Sequence, residues 1–176
     1  LDEAITDGGG LDAAFVDLRG LADYNAVFGF DLGDDLIRLL VVVVGQVVHD
    51  HAGRAHDAFL GHLGDDRLLL LLAPGETEGV ANGVVRMFQT RLASCGISPQ
   101  AALSGLGASS SIATVAVRFL AIRDVTAHYG CAQDVMRAES TLRGLADEEA
   151  AMNPVQPGYI VVIDPEPVSS PLPLAA

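Results

Sequence analysis

The sequence contains no lysine: its ten positively charged side chains are all arginines, set against 23 acidic residues. The net charge of −13 repels polyanions, so nonspecific binding of nucleic acid is not expected. Cysteine is scarce. Cys95 and Cys131 have no CxxC spacing and no companions, which argues against a disulfide framework and a zinc site and fits a reducing, cytoplasmic compartment. Long apolar runs are also missing: the longest, Leu39–Val44, falls far short of the roughly 20 residues that cross a bilayer. No basic segment precedes an apolar one at the start, so neither membrane contact nor a signal peptide is expected. What is present is apolar bulk. Half of the 176 residues are hydrophobic, enough for one domain with a sizeable core.

The densest signal lies between Asp57 and Ala73, in D-A-F-L-G-H-L-G-D-D-R-L-L-L-L-L-A. Phe59–Leu63 and Leu68–Leu72 read as strands around a Gly-Asp-Asp turn, the pattern of a β-hairpin. Rigid strands would present the adjacent carboxylates of Asp65 and Asp66 at the tip, where they suit a hard cation such as Mg²⁺; the same residues are also ordinary turn formers.

Around the hairpin the chain reads as a series of elements. Residues 1–10, ending in three glycines, are expected to be a flexible join, and Ala13–Leu18 a buried strand broken by one acid, Asp17. Leu21–His49 has a helical pattern interrupted around Gly29 and Gly33, with Asp34 and Asp35 in the first turn of its second part and Leu36–Val48 apolar nearly all round. The histidines and aspartates of His49–Asp57 read as a polar connection rather than a metal cluster. A helix is expected from Pro74–Glu78 to about Ser94, then a Gly/Ser-rich connection over Cys95–Ser111 and a strand over Ile112–Ile122. An amphipathic helix over Ala132–Glu149, a last strand over Gly158–Ile163 and a mobile proline-rich tail over residues 164–176 complete the chain. This order is an α+β plan, a sheet with helices on its faces.

Taken together, residues 11–163 resemble a GGDEF domain, the module of bacterial diguanylate cyclases. The likeness rests on Asp17-Leu18-Arg19 at a strand end, Asn25 eight residues after Asp17, Gly33-Asp34, and the Gly-Asp-Asp hairpin. In the family these are D-L/I-D, Asn, G-D and G-G-D/E-E-F. The resemblance implies a nucleotide-cyclase-like (ferredoxin-like) fold with a mixed, mainly antiparallel sheet. It further implies that Asp17, the Leu18 carbonyl and Asp66 hold Mg²⁺, that Asp65 and Asp66 are the catalytic acids, and that Asn25 and Asp34 hydrogen-bond a guanine base. Such a pair matches the N–H donors and the O6 acceptor of guanine. The hairpin admits two registers. With the signature at Leu63–Arg67, Arg54 and Asp57 fall on the family's R-x-x-D inhibitory site for cyclic di-GMP; with the signature at Gly64–Leu68, that site slips by one.

The departures from the family pattern bear on activity. The family's lysine is Ala22 here, the second acid of D-x-D is Arg19, and the late A-K-x-x-G-R segment is Leu145-Ala146-Asp147-Glu148. A triphosphate is therefore expected to meet little positive charge, at a cost of many orders of magnitude in turnover. Arg19 or Arg67 beside Asp17 is a candidate fixed cation in the metal position. The expectation is a degenerate, inactive GGDEF-like signalling domain, part of a longer protein, that senses a guanine nucleotide such as GTP, or cyclic di-GMP, with Mg²⁺ required only if the site works. The alternatives are an active diguanylate cyclase whose arginines replace the missing lysines, and a structural homodimerisation domain.

Overall fold

The chain is described by a computed structural model that covers residues 1–7, 9–52, 58–95, 115–152 and 158–164. The apolar run after Asp12 becomes strand β1 (Asp12–Arg19), buried from Asp12 to Leu18 and central in the sheet. Before it comes helix α1 (Asp2–Asp7), and after it α2 (Leu21–Phe28) and α3 (Phe30–Ala52). The hairpin of β2 (Phe59–Gly64) and β3 (Arg67–Leu72) follows, then α4 (Thr77–Ser94), β4 (Ala116–Ile122), α5 (Val125–His128), α6 (Ala132–Met152) and β5 (Gly158–Ile163). The strands lie in the order β2-β3-β1-β4-β5, antiparallel except for the parallel pair β4–β5. The expected mixed, mainly antiparallel α+β sheet is therefore what forms.

Alternation along the strands divides the core into two layers. Ala14, Val16 and Leu18 of β1 join Leu68, Leu70 and Leu72 of β3 and Val117 and Phe119 of β4 under α3 and α4. Ala13, Phe15, Leu69, Leu71, Leu120 and Ile122 point the other way, toward Ile5 of α1, Val125 of α5 and Val135, Leu142 and Ala146 of α6.

Several elements differ from the sequence reading. The expected flexible join contains α1, held because Ile5 is buried in the α6 layer. The helical break falls only at Gly29, whose φ is 89°; α3 runs through Gly33, which is buried and packed so closely on Asn25 that an added Cβ would overlap Asn25 Oδ1. Asp34 and Asp35 consequently lie beyond the first turn of α3. Nor is α3 buried all round. Leu36, Leu40, Val43, Val44 and Val47 form the inward stripe, whereas Val41 and Val42 are 40% and 60% exposed. His49, Asp50 and His51 belong to the last turn of α3, not to a connection. Arg54 and Asp57 lie outside the described residues, as do most of the expected connection after Cys95 and residues 165–176 of the expected tail. The strand expected from Ile112 is seen over Ala116–Ile122. Among the described residues no helix is long and apolar enough to cross a membrane.

Candidate functional site

One acid in a buried strand demands a partner, because an unpaired carboxylate in an apolar layer is strongly unfavourable. Asp17 is 3% exposed, and the register of β1 with β4 sets Arg118 directly opposite it. Arg118 donates from Nε to Asp17 Oδ1 at 2.8 Å and from Nη2 to Oδ2 at 3.0 Å, a bidentate fork that fits both carboxylate oxygens. Arg143, reaching down from α6, donates from Nη1 to the same Oδ2. One turn earlier on α6, Glu139 is also 3% exposed and accepts from Arg143 Nε at 2.9 Å, from Arg143 Nη2 at 2.5 Å and from Arg67 Nη2 at 3.1 Å. Arg118 Nη1 continues the chain to Asp147 at 2.6 Å.

The network runs Arg67, Glu139, Arg143, Asp17, Arg118, Asp147. It exists because side chains two residues apart share a sheet face: Arg67 with Leu69, Asp17 with Phe15 and Arg118 with Leu120 all face α6. Burial works against the charge of Arg143, but Asp17 and Glu139 outweigh it and hold the guanidinium above the usual arginine range.

The hairpin tip closes one side of the site. Gly64 and Asp65 adopt positive φ, 112° and 51°, and leave Asp65 exposed while its carbonyl accepts from His62 Nε2 at 2.9 Å. Asp66 turns inward, and its Oδ2 accepts the Leu18 N–H at 2.9 Å. Between the hairpin, the end of β1 and α2 lies a cleft of about 580 Å³, lined by Asp17, Leu18, Asn25, Asp66 and four arginines, Arg19, Arg67, Arg118 and Arg143. Gly20, at φ 82°, turns the chain into α2 without a side-chain cap. Two buried polar atoms at the cleft, Asn25 Oδ1 and Arg67 Nε, have no protein hydrogen-bond partner.

No family model matches the sequence, and no curated protein matches it either. Solved structures do. The coiled coil and GGDEF domain of DgcB from Caulobacter crescentus, in complex with c-di-GMP, aligns with 92% of this chain and 73% of its own at 18% identity and a TM-score of 0.54. The active GGEEF domain of a diguanylate cyclase from Vibrio cholerae covers 90% of this chain and 86% of its own, with 17% identity and a TM-score of 0.53. The GGDEF domain of TpbB (YfiN) from Pseudomonas aeruginosa reaches a TM-score of 0.59 at 12% identity, over 91% of this chain and 83% of its own. The chain has the fold of a GGDEF domain.

Within this GGDEF fold the residues singled out in the sequence separate into two groups. Asp17 and Leu18 at the end of β1 and Asp66 in the hairpin turn just before β3 are brought together, and Asn25 lines the same cleft. Asp65 is exposed at the hairpin tip, and Asp34 is exposed on α3 beside Gly33 and does not line the cleft.

The expected Mg²⁺ position does not suit the ion. Both oxygens of Asp17 are engaged by guanidinium groups, and the inward oxygen of Asp66 is engaged by a backbone amide. Mg²⁺ requires near-octahedral oxygen ligands, which two fixed cations on the principal carboxylate deny it. Among the described residues no cluster of three or more His, Cys, Asp or Glu side chains is arranged to hold a metal ion.

Arg118, Arg143 and Glu139 were not identified from the sequence. Arg118 and Arg143 are paired with Asp17, whereas Arg67 lies on Glu139. A signal existed for Glu139: it occupies one position in the buried row Val135, Glu139, Leu142, Ala146 and Ala150, where an acid needs a partner. Four arginines line the cleft beside the carboxylates of Asp17, Asp23 and Asp66, and Arg67, Arg118 and Arg143 are each paired with an acid.

Proposed function

We propose that this GGDEF-fold domain is a non-catalytic signalling module that senses a guanine nucleotide in the cleft and does not join two GTP molecules. The observation that carries the reading is the pairing of both Asp17 oxygens with Arg118 and Arg143. A carboxylate so neutralised is a poor metal ligand, and phosphoryl transfer without a metal loses its largest source of charge stabilisation. Asn25 brings an amide and Arg67 a guanidinium to the cleft lining, side chains suited to a base edge and a phosphate oxygen. Asn25, which lines the cleft, is the base-reading residue in this proposal; Asp34, which does not, makes a smaller contribution.

The test is incubation of the domain with GTP and Mg²⁺, with chromatography for cyclic di-GMP, alongside calorimetry with GTP, GDP and cyclic di-GMP. The expected result is no product, with binding of GTP or GDP that falls at least tenfold in Asn25→Ala. Cyclic di-GMP formed by the wild type and lost in Asp66→Ala would establish the active cyclase instead. Binding of none of the three ligands would leave a structural role. Binding of cyclic di-GMP that is lost in Arg54→Ala would move the ligand to the Arg54 and Asp57 pair.

A further inference from the structure

We propose that the cleft takes the nucleoside end of its ligand and disfavours a phosphate chain, so that guanosine or GMP, rather than GTP, is the guanine compound sensed. The inference rests on the reading of the cleft as a guanine site and names the class of compound that fits it.

The positive charge of the cleft is already committed. Arg118 and Arg143 are paired with Asp17, Arg118 also with Asp147, and Arg67 and Arg143 with Glu139. With Arg19, four guanidinium groups stand against five carboxylates, those of Asp17, Asp23, Asp66, Glu139 and Asp147. The balance is one negative charge, in a chain that carries −13. A phosphate that drew Arg118 or Arg143 away would strand Asp17, and one that drew Arg143 or Arg67 away would strip Glu139. Both acids are 3% exposed, where an unpaired carboxylate is strongly unfavourable. Arg67 is the most accessible of the three, its side chain 35% exposed against 24% for Arg143 and 11% for Arg118, and it holds Glu139 through Nη2 at 3.1 Å. It can meet a single phosphate group, not a chain of them.

The other polar groups of the lining call for neutral donors. Asp23 is exposed in the first turn of α2, and Asp66 gives one oxygen to the Leu18 N–H. Ionised carboxylates accept hydrogen bonds and cannot donate them, so they match the hydroxyls of a ribose and the N–H groups of a base, and they repel phosphate. A cleft of about 580 Å³ is also of the size that encloses a nucleoside-sized molecule.

The experiment is calorimetry of the whole chain with guanosine, GMP, GDP and GTP, in EDTA so that no metal offsets the charge of the phosphates. Guanosine and GMP should bind with similar affinity, and GTP about tenfold more weakly. Raising the salt from about 0.05 to 0.5 M should tighten the binding of GTP, because screening relieves its repulsion, and leave that of guanosine unchanged. Asp23→Asn keeps an acceptor and removes one charge from an exposed position. It should strengthen GTP binding about threefold while guanosine stays within about twofold of the wild type. An affinity that rises from guanosine to GTP, or a GTP affinity that falls with salt, would overturn the proposal while leaving a guanine site in place. Binding of none of the four compounds would overturn the reading of the cleft as a guanine site, and the proposal with it.

Discussion

Asp17 and Arg118, 101 residues apart in sequence, are cross-strand partners on β1 and β4 and share two hydrogen bonds of 2.8 and 3.0 Å. Arg118 is only 11% exposed at its side chain and Asp17 4%, so water screens the pair little.

Arg118→Ala should cost about 3–5 kcal/mol of stability in urea unfolding, because it leaves a buried carboxylate short of its bidentate partner. Arg118→Lys should recover only part of that loss, since an ammonium cannot span both Asp17 oxygens. Equal stability of the lysine variant and the wild type would show that the fork geometry does not matter.

Gly33→Ala separates folding from recognition. An added methyl would overlap Asn25 Oδ1, the movable end of a side chain, while alanine favours the interior of α3 by up to about 1 kcal/mol. Stability should therefore change by no more than about 1 kcal/mol, whereas calorimetry should show nucleotide affinity falling as far as in Asn25→Ala. Unchanged affinity would remove Asn25 from the binding site.

The hairpin tip offers a backbone test. Asp65 has φ 51°, a conformation glycine adopts freely and β-branched residues resist. Asp65→Val should lose about 1–2 kcal/mol by chemical denaturation, and Asp65→Gly should be at least as stable as the wild type. Because Asp65 is exposed, Asp65→Gly should also leave nucleotide affinity intact.

Alkaline unfolding should follow the tyrosines. Burial, reinforced by Asp35, raises Tyr24 above its ordinary value of 10.0, and burial with Asp134 does the same for Tyr129. A raised native-state value means that these groups contribute stability in full below pH 10.0, and the contribution is lost as pH rises through the native values. Arg143 is held above the usual arginine range as well, by Asp17 and Glu139, so its charge persists throughout this range. The stability curve should bend downward above pH 10, and Tyr24→Phe should lessen the bend.

Local pattern made much of the fold legible. β1, the hairpin, α4, α6 and β5 follow from apolar periodicity and turn chemistry, with boundaries close to those observed. The short helix α1 was missed because its buried anchor Ile5 matters only once the α6 layer exists to receive it. Gly33 read as a break because nothing in the sequence shows that Asn25 needs the space. The cleft was half legible. Asp17, Asn25 and Asp66 stand at spacings that sequence can recognise, but the ion pairs of Asp17 depend on contacts across 101 and 126 residues. Strand register creates those contacts, and register is a tertiary property.

Helix α6 bears Arg143 over the cleft, and its first residue, Ala132, donates its backbone N–H to Asp2 Oδ1 at 2.6 Å. Helix α1 is thus coupled to the helix that delivers a cation to Asp17. A pull or twist on residues 1–7 would reach the cleft along α6 from Ala132 to Arg143, without crossing the sheet.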